Sequence, residues 1–278
     1  MKAHSIGNLG ICAGVMFALL SGNAIADECK PAHTFSSVTP GTLTIVAHEY
    51  MPFSGKSGDD AIKGIDGDII KAIAAKECLK LNVSIVDAAA VIQSVSTGKA
   101  DFGIGDWQRT VARSKVLGLS GPLYTDQMGV ISADGVDTIP ALQGKKVGVV
   151  AGSYWNADLK KYLGSSLTIY PNPVALAQDL SAKRIDIGID SYLTAAYNQK
   201  TAGYRGFKVL PIRPDASVPA SLSPSQAGFP YQKSNGALGD AITADIAEMH
   251  KAGDIARIIQ SYDLQPSAAD VGEPRLVQ

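Results

Sequence analysis

The sequence has few residues of the kinds that bind metals or nucleic acids. It contains 3 cysteines and 4 histidines, and it has no Cys-x-x-Cys or His-x-x-x-His spacing. Because structural and catalytic metal sites are commonly built from such pairs, we expect no metal and no cofactor. The formal net charge is −1, which gives no electrostatic basis for binding nucleic acid.

Long apolar runs are also scarce. The run near the N-terminus covers residues 6–20, which is shorter than the ~20 residues that span a bilayer. Lys2 precedes this run and the small residues Ala24 and Ala26 follow it, a pattern typical of a cleaved secretory signal peptide over residues 1–26. Cys29 follows two acidic residues instead of the cleavage site itself, so no lipid anchor is expected. The mature chain is predicted to be free in the periplasm.

Two cysteines, Cys29 and Cys78, remain in the predicted mature chain. An even pair in an oxidising compartment favours a disulfide that ties the N-terminal arm to a helix. Two separate thiols are the alternative that the sequence leaves open.

The composition predicts a folded protein of ordinary hydrophobicity. With 46% hydrophobic and 18% charged residues, the chain can bury a core, and its length suits two domains. Short β-branched runs alternate with amphipathic helical patterns, which is typical of an α/β fold with mostly parallel sheets. Predicted strands cover residues 42–47, 81–86, 101–104 and 146–151, predicted helices cover 67–79, 91–97 and 236–262 with a break at Gly253, predicted extended crossovers cover 124–132 and 226–231, and the segments 27–40 and 265–278 are predicted to be disordered.

Two segments of the chain resemble two later ones. Residues 91–104 share Gln, Ser, Asp, Gly and Ile in register with residues 176–189, and the strand and turn at 43–50 resemble those at 146–154. Two lobes of related architecture would explain both similarities. Chance similarity between α/β segments is the alternative.

The predicted strands end in turns that are candidates for a binding site. In open parallel sheets, ligands bind beyond the carboxyl ends of the strands, where backbone N–H groups and helix N-termini converge. Polar and aromatic residues occupy four such turns, at residues 48–50, 105–108, 152–155 and 190–192.

Short motifs along nearly the whole predicted mature chain carry a family resemblance. They are Tyr50-Met51-Pro52-Phe53, residues 64–74, Gly98-Lys99-Ala100-Asp101, Thr110-Val111-Ala112-Arg113, and residues 120–124, 142–148 and 246–253. Each motif is weak alone, but their order and spacing are specific. The sequence resembles the family-3 extracellular solute-binding proteins, the amino-acid-type receptors of ABC importers.

The resemblance implies a two-lobed periplasmic-binding-protein fold of the α/β class. Each lobe is then a central, mostly parallel sheet flanked by helices, and two hinge crossovers join the lobes. Residues 27–125 would begin lobe 1, residues 126–227 would form lobe 2, and residues 228–278 would complete lobe 1. Such a protein, expected to be a monomer, encloses a small amino-acid-like ligand by hinge closure and delivers it to an ABC transporter permease in the inner membrane.

The resemblance also implies roles for individual residues. Arg113 would pair with the ligand carboxylate, since a guanidinium binds a carboxylate through two parallel hydrogen bonds; a surface arginine is the alternative. Tyr50 would stack on the ligand, unless it only packs beside Pro52. Ser153 and Tyr154 would donate hydrogen bonds to the carboxylate.

The acidic residue that takes the ligand ammonium in this family is displaced by one position here. Counting from Asp186 places Ser191 there, whereas a shortened strand end would let Asp190 serve. Because alternate strand residues point to opposite faces, the difference matters. We favour Asp190, and loss of the ammonium contact is the alternative.

One stretch departs further from the family, because Asp106-Trp107-Gln108 replaces small hydroxyl residues of the amino-acid binders. All three are candidate ligand contacts. Asp106 is expected to hold a cation, and Trp107 would join an aromatic cage around it with Tyr50, Trp155 and Tyr192. Packing of Trp107 beneath the hinge explains the residue equally well.

Two further departures concern the ligand. Ala47 stands where receptors of basic amino acids often have an acidic residue, and Ala88 stands where a large aromatic residue is common. The ordinary lysine, arginine or histidine receptor is therefore a poor match. A modified amino acid, an opine-like compound or a betaine is expected instead.

Two other function classes remain as alternatives. The same fold serves periplasmic accessory or sensory proteins, which act on a protein partner. It also serves some dehydratases of small carboxylic acids, for which His48 and Glu49 are the acid–base candidates beside Tyr50. No nucleophile is paired with a base, so catalysis is not expected.

Overall fold

The computed structural model describes residues 1–3, 29–58, 61–201 and 203–278 of the chain. Most of the predicted signal peptide, residues 4–26, therefore lies outside the described residues. Within the described part, no helix has both the length and the apolar character that a bilayer span requires.

Strands and helices alternate along the chain. The strands are β1 (Thr42–Ala47), β2 (Gly55–Ser57), β3 (Ala61–Lys63), β4 (Lys80–Ile85), β5 (Phe102–Ile104), β6 (Gly118–Leu119), β7 (Thr125–Asp126), β8 (Met128–Ser132), β9 (Val147–Val150), β10 (Leu167–Tyr170), β11 (Ile187–Ser191), β12 (Lys208–Pro211), β13 (Ser225–Gln226) and β14 (Pro230–Tyr231). The helices are α1 (Ile65–Lys76), α2 (Ala88–Ser96), α3 (Val111–Val116), α4 (Asn156–Leu163), α5 (Pro173–Ser181), α6 (Tyr192–Thr201), α7 (Gly236–Ala252) and α8 (Asp254–Ser261).

Two five-stranded sheets form the centres of two lobes. The first sheet has the order β4-β1-β5-β14-β6, and the second has the order β10-β9-β11-β8-β12. In each sheet the first three strands are parallel, and the fourth runs antiparallel to both of its neighbours. The predicted two-lobed fold with mostly parallel sheets is confirmed.

The two sequence similarities fall on equivalent elements of the two sheets. The strands β1 and β9 are both second in strand order, and both are followed by a turn at the same edge. The helix–strand units α2–β5 and α5–β11 each supply the third strand. Both lobes therefore repeat one topology.

Apolar side chains cover each sheet on both faces, as expected for parallel strands. In the first lobe, Ile69 and Ile242 belong to the cluster on one face, and Val95 belongs to the cluster on the other. In the second lobe, Leu159 and Leu180 mark the two corresponding clusters. This packing fixes the strand ends that carry the site.

The lobes are joined where the chain crosses between the sheets. The short strands β7 and β13 pair antiparallel, with Asp126 opposite Ser225 and Thr125 opposite Gln226. These two strands are the hinge of the molecule.

The C-terminal tail is ordered along this hinge, so the prediction that it is disordered is wrong. Val277 N donates to Arg109 O, and Val111 N donates to Val277 O, both at 2.9 Å. The Gln226 amide donates to the carbonyls of Val271 at 2.8 Å and Glu273 at 2.9 Å. The side-chain composition of the tail does not reveal such hydrogen bonds to its backbone, so it could not predict that the tail is ordered.

The N-terminal arm, from residue 29, also packs against the first lobe. Cys29 and Cys78 form a disulfide with a Cα–Cα distance of 5.8 Å. Val38 N donates to Asp101 Oδ1 at 2.8 Å, and His33 Nδ1 lies 2.7 Å from Glu77 Oε1. The described part of the arm, predicted to be disordered, is thus held at several points.

Candidate functional site

A cleft lies between the lobes at the carboxyl ends of several strands. It contains a cavity of about 100 Å3. Turns after β1, β5 and β9 line it as predicted, and the turn after β10 takes the place of the predicted turn at 190–192. The lining residues are His48, Glu49, Tyr50, Ala88, Gly105, Asp106, Trp107, Gln108, Arg113, Val150, Ala151, Gly152, Ser153, Pro171, Asn172 and Pro173.

Arg113 lies in the first turn of α3 and reaches both lobes. The helix begins after Thr110, whose hydroxyl accepts a 3.1 Å hydrogen bond from Arg113 N. The guanidinium donates to Gln108 O at 2.6 Å and to Gly152 O at 3.4 Å. Burial lowers the pKa of Arg113 and Asp106 raises it, and the group remains charged at neutral pH.

Trp107 supports this arginine. The guanidinium carbon of Arg113 lies 5.0 Å from the centre of the Trp107 ring, within the range of a cation–π interaction. The ring also packs against the apolar cluster that contains Val95 and Leu117. The cation on Trp107 is thus the protein's own arginine, and the ring packs with apolar side chains of the first lobe.

The predicted aromatic cage is not assembled. Trp155 is fully buried in the core of the second lobe, and Tyr192 lines a different cavity beside the hinge. Of the four rings, Tyr50 and Trp107 line the cleft cavity. The side-chain directions of Trp155, just before α4, and of Tyr192, at the start of α6, decide this. The sequence pattern left both directions open.

His48 and Tyr50 form one side of the cavity. Their rings stack with centres 5.3 Å apart, and His48 meets the edge of Trp107 at 5.2 Å. Burial, and to a lesser extent the charge of Arg113, lower the pKa of His48 to about 4, so the imidazole is neutral at pH 7. Glu49, the other acid–base candidate, lines the same cavity.

Asp190 and Ser191, at the end of β11, are both fully buried and have different partners. Asp190 Oδ1 accepts a 2.8 Å hydrogen bond from the Tyr50 hydroxyl and a 2.9 Å bond from Ser191 N. The Ser191 hydroxyl instead accepts a 3.1 Å hydrogen bond from Thr194 N. Burial raises the pKa of Asp190 to about 7. Asp190 points toward the first lobe, where it contacts the Tyr50 hydroxyl. It does not itself line the cavity.

Asp106 lines the inner part of the cavity. Its backbone has a φ of 56°, in the left-handed region, at the turn where the chain leaves β5. The Gln108 amide donates to Asp106 Oδ2 at 3.4 Å. Before it, Gly105 approaches His48 so closely that a Cβ at this position would lie 2.6 Å from the imidazole ring. The turn thus requires glycine there and holds Asp106 against the cleft.

Of the two ligand contacts predicted in the turn after β9, Ser153 and Tyr154, one lines the cavity and the other does not. Ser153 lines the cavity. The Tyr154 hydroxyl lies 3.1 Å from the carbonyl oxygens of both Ala220 and Ser223, within the second lobe. The structure therefore places Tyr154 outside the cavity, because these carbonyls take the hydroxyl that was expected to serve the ligand.

Two buried acids near the site were missed in the sequence. Asp66, in the first turn of α1, accepts bonds from the Tyr124 hydroxyl at 2.7 Å and from Gly105 N at 2.8 Å. Asp126 lies in the hinge strand β7 and accepts a 3.3 Å bond from Leu193 N. A charged residue next to apolar Ile65 was the available signal for Asp66, whereas Asp126 lies between Thr125 and Gln127 and gave none.

A family comparison agrees with this architecture. The family model for bacterial extracellular solute-binding proteins, family 3, matches residues 43–265. The arginine-binding extracellular protein ArtP of Bacillus subtilis (strain 168) is 24% identical over 77% of this chain and 82% of its own length. The histidine-binding periplasmic protein of Salmonella typhimurium is 24% identical over 77% of this chain and 84% of its own.

The fold is also found in solved structures. The substrate-binding protein AbpA of Streptococcus pneumoniae, an amino acid ABC transporter component solved bound to L-arginine, aligns with a TM-score of 0.70 and 25% identity. The alignment covers 80% of this chain and 94% of that one.

Proposed function

Since the chain belongs to the bacterial extracellular solute-binding proteins, family 3, we propose that it captures a small amino-acid-like ligand in the cleft between its lobes. The ligand is an amino acid, a modified amino acid or another cationic carboxylate. The named relatives bind arginine or histidine, and the solved AbpA structure holds arginine, which supports this ligand class.

The observation that carries the proposal is the position of Arg113. Its guanidinium lines the cavity, contacts carbonyl oxygens of both lobes, and has no carboxylate partner among the described residues. A cation held in a cleft without an acidic partner is suited to a ligand carboxylate. Closure over that ligand would be stabilised by contacts from both lobes.

Binding rather than catalysis follows from the same residues. His48 is neutral at pH 7, and its Nδ1 atom has no hydrogen-bond partner among the described residues. A group with a pKa of about 4 is both uncharged and a weak base at pH 7, so His48 suits a contact to the ligand better than proton transfer. We therefore infer that the protein binds its ligand without converting it.

Export and delivery complete the proposal. The signal-peptide pattern of residues 1–26 directs the chain to the periplasm, where it acts as a monomer. The relatives are named as extracellular or periplasmic proteins, which agrees with this location. The partner is the permease of an ABC importer in the inner membrane.

Thermal unfolding against a ligand panel tests the function. The mature protein would be unfolded, dialysed and refolded to remove bound ligand, and then mixed with amino acids, opines, betaines, polyamines and small dicarboxylates. A ligand that binds the native state raises the unfolding midpoint. We expect a shift with at least one amine that carries a carboxylate, and no shift with any panel member would contradict the proposal.

A further inference from the structure

Three buried aspartates lie together at the inner end of the cleft. Asp106 comes from the first lobe, Asp126 from the hinge and Asp190 from the second lobe. All three are at most 5% exposed. Within the described residues, one oxygen of each lacks a hydrogen-bond donor, namely Asp106 Oδ1, Asp126 Oδ2 and Asp190 Oδ2. Buried carboxylates normally have their oxygens satisfied, so this arrangement needs an explanation.

Two of these acids touch each other. The side chains of Asp106 and Asp126 lie within hydrogen-bonding distance. Two ionised carboxylates cannot donate to one another, so a proton must lie between them. Burial raises the pKa of Asp106 well above its usual range, and the charge of Asp126 raises it further. Burial likewise raises the pKa of Asp126 to about 6.

The surroundings leave the pair short of positive charge. Arg113 is the cation that acts on Asp106, and it lowers the pKa of that carboxyl only in part. His48 is neutral because burial lowers its pKa to about 4. The other titratable groups facing the pair are acids or phenols: Asp66, Asp190, Tyr50, Tyr124 and Tyr154.

Asp106 is the member of the pair that a ligand can reach. It lines the cavity together with Arg113, whereas Asp126 lies behind it and is not part of the cavity wall. A carboxylate acceptor and a guanidinium donor thus occupy one cavity. They suit a ligand that carries a carboxylate at one end and a protonated nitrogen at the other.

We propose that Asp106 and Asp126 form a cation site that exchanges their shared proton for a protonated side-chain nitrogen of the ligand. This inference rests on the proposed function and names its substrate class, an amino acid with an ammonium or guanidinium side chain. The incoming cation pairs with Asp106 from the cavity side, both acids ionise, and the proton passes to solvent. The net charge of the buried site is unchanged by the exchange.

The exchange has a direct thermodynamic signature. About one proton is released for each cationic ligand bound near pH 7, so the affinity for that ligand rises with pH. A ligand with a neutral side chain releases none. L-Arginine and L-citrulline have nearly the same shape and differ in this charge, which makes them a matched pair of probes.

Isothermal titration in two buffers of different ionisation enthalpy measures both affinity and proton release. With the wild-type protein we expect L-arginine to bind on the order of 100-fold more tightly than L-citrulline, with release of about one proton. Asp106→Asn should abolish both the preference and the release. Asp126→Asn should keep the preference and reduce the release, because the charge of Asp126 then no longer adds to the effect of burial on the pKa of Asp106.

A control and the contrary outcomes separate this inference from the proposed function. Asp179→Asn makes the same chemical change at an aspartate on α5, where the side chain accepts a bond from Tyr170, and should leave both quantities unchanged. If amino acids bind but arginine and citrulline bind alike, or if Asp106→Asn changes neither quantity, the cation site is overturned and the receptor function stands. If no member of the thermal panel binds, both are overturned.

Discussion

The Tyr50 hydroxyl of the first lobe donates a 2.8 Å hydrogen bond to Asp190 Oδ1 of the second lobe. Asp190 is fully buried and Tyr50 is partly buried, and the bond crosses the cleft between the lobes. Opening the cleft must break this bond and expose the Asp190 carboxyl group. This hydrogen bond therefore favours the closed position of the lobes over open positions.

Tyr50→Phe should shift the protein toward open conformations. The lost hydrogen bond involves a carboxyl group, and such bonds contribute about 1.5–3 kcal/mol. Small-angle X-ray scattering should show a larger radius of gyration for the variant than for the wild type. Tyr262→Phe is the matched control, because its hydroxyl donates at 2.7 Å to Asp68 Oδ2 within the first lobe. Equal radii for all three proteins would show that the bond does not hold the lobes together.

Arg113→Ala should weaken ligand binding and leave the fold intact. Removing one partner of a desolvated ion pair costs about 2–5 kcal/mol, and Arg113→Lys should recover only part of this because an ammonium cannot make two parallel bonds. Titration calorimetry with the ligand identified by the thermal panel gives the dissociation constants. Arg213→Ala removes an exposed arginine that pairs with Asp137, and it should bind as the wild type does. Unchanged affinity in Arg113→Ala would exclude the carboxylate contact.

The stability of the ligand-free protein should fall as the pH rises from 6.5 to 8. Burial raises the pKa of Asp66 and Asp126 to about 6 and that of Asp190 to about 7. The native state therefore binds more protons than the unfolded state, and the associated stability is lost as the pH rises through these values. Asp190 alone should account for about 1 kcal/mol over this interval.

The choice of pH interval limits an opposing contribution. Burial lowers the pKa of His48 to about 4, so stability from this group is lost as the pH falls from 6.5 toward 4. Urea denaturation at several pH values above 6.5 reports mainly the effect of the acids. Asp190→Asn should flatten the profile, and a stability that rises over the interval in the wild type would contradict the assignment.

Removal of the disulfide should lower stability without changing ligand affinity. The Cys29–Cys78 bond closes a loop with a sequence separation of 49, and bonds of this kind contribute about 2–4 kcal/mol. Cys78 follows α1, whose C-terminal end lies at the edge of the sheet opposite the cleft. The double variant Cys29→Ala/Cys78→Ala should unfold at lower urea concentration. A large change in its dissociation constant would mean that the arm influences the site.

Much of the first lobe and the outline of the second could be predicted from the sequence. The strand β1 has the predicted bounds because Thr42–Ala47 is a β-branched apolar run between turn residues. Gly253, with a φ of 75°, ends α7 where the break was predicted. Local sequence patterns are enough to predict these element bounds, because the secondary-structure propensity of the residues agrees with their burial.

The orientation of site residues could be predicted less well. Asp190 and Ser191 are consecutive, and only the pairing of β11 with β8 and β9 decides that Asp190 meets Tyr50. Tyr154 looked like a ligand contact, but two carbonyl groups distant in sequence hold its hydroxyl. Asp126 approaches Asp106 only when the chain crosses between the lobes. These contacts depend on long-range geometry, which a motif does not encode.

The C-terminal tail lies beside the two paired hinge strands, and this position restricts the movement of the lobes. Val277 is bonded on both sides to the first lobe, whereas the carbonyls of Val271 and Glu273 are held by the side chain of Gln226 on β13. A rotation of the lobes that moves β13 away from the first lobe must stretch the segment between these hydrogen-bonded residues. The C-terminal segment thus connects the hinge to the first lobe, and its length limits how far the two lobes can separate.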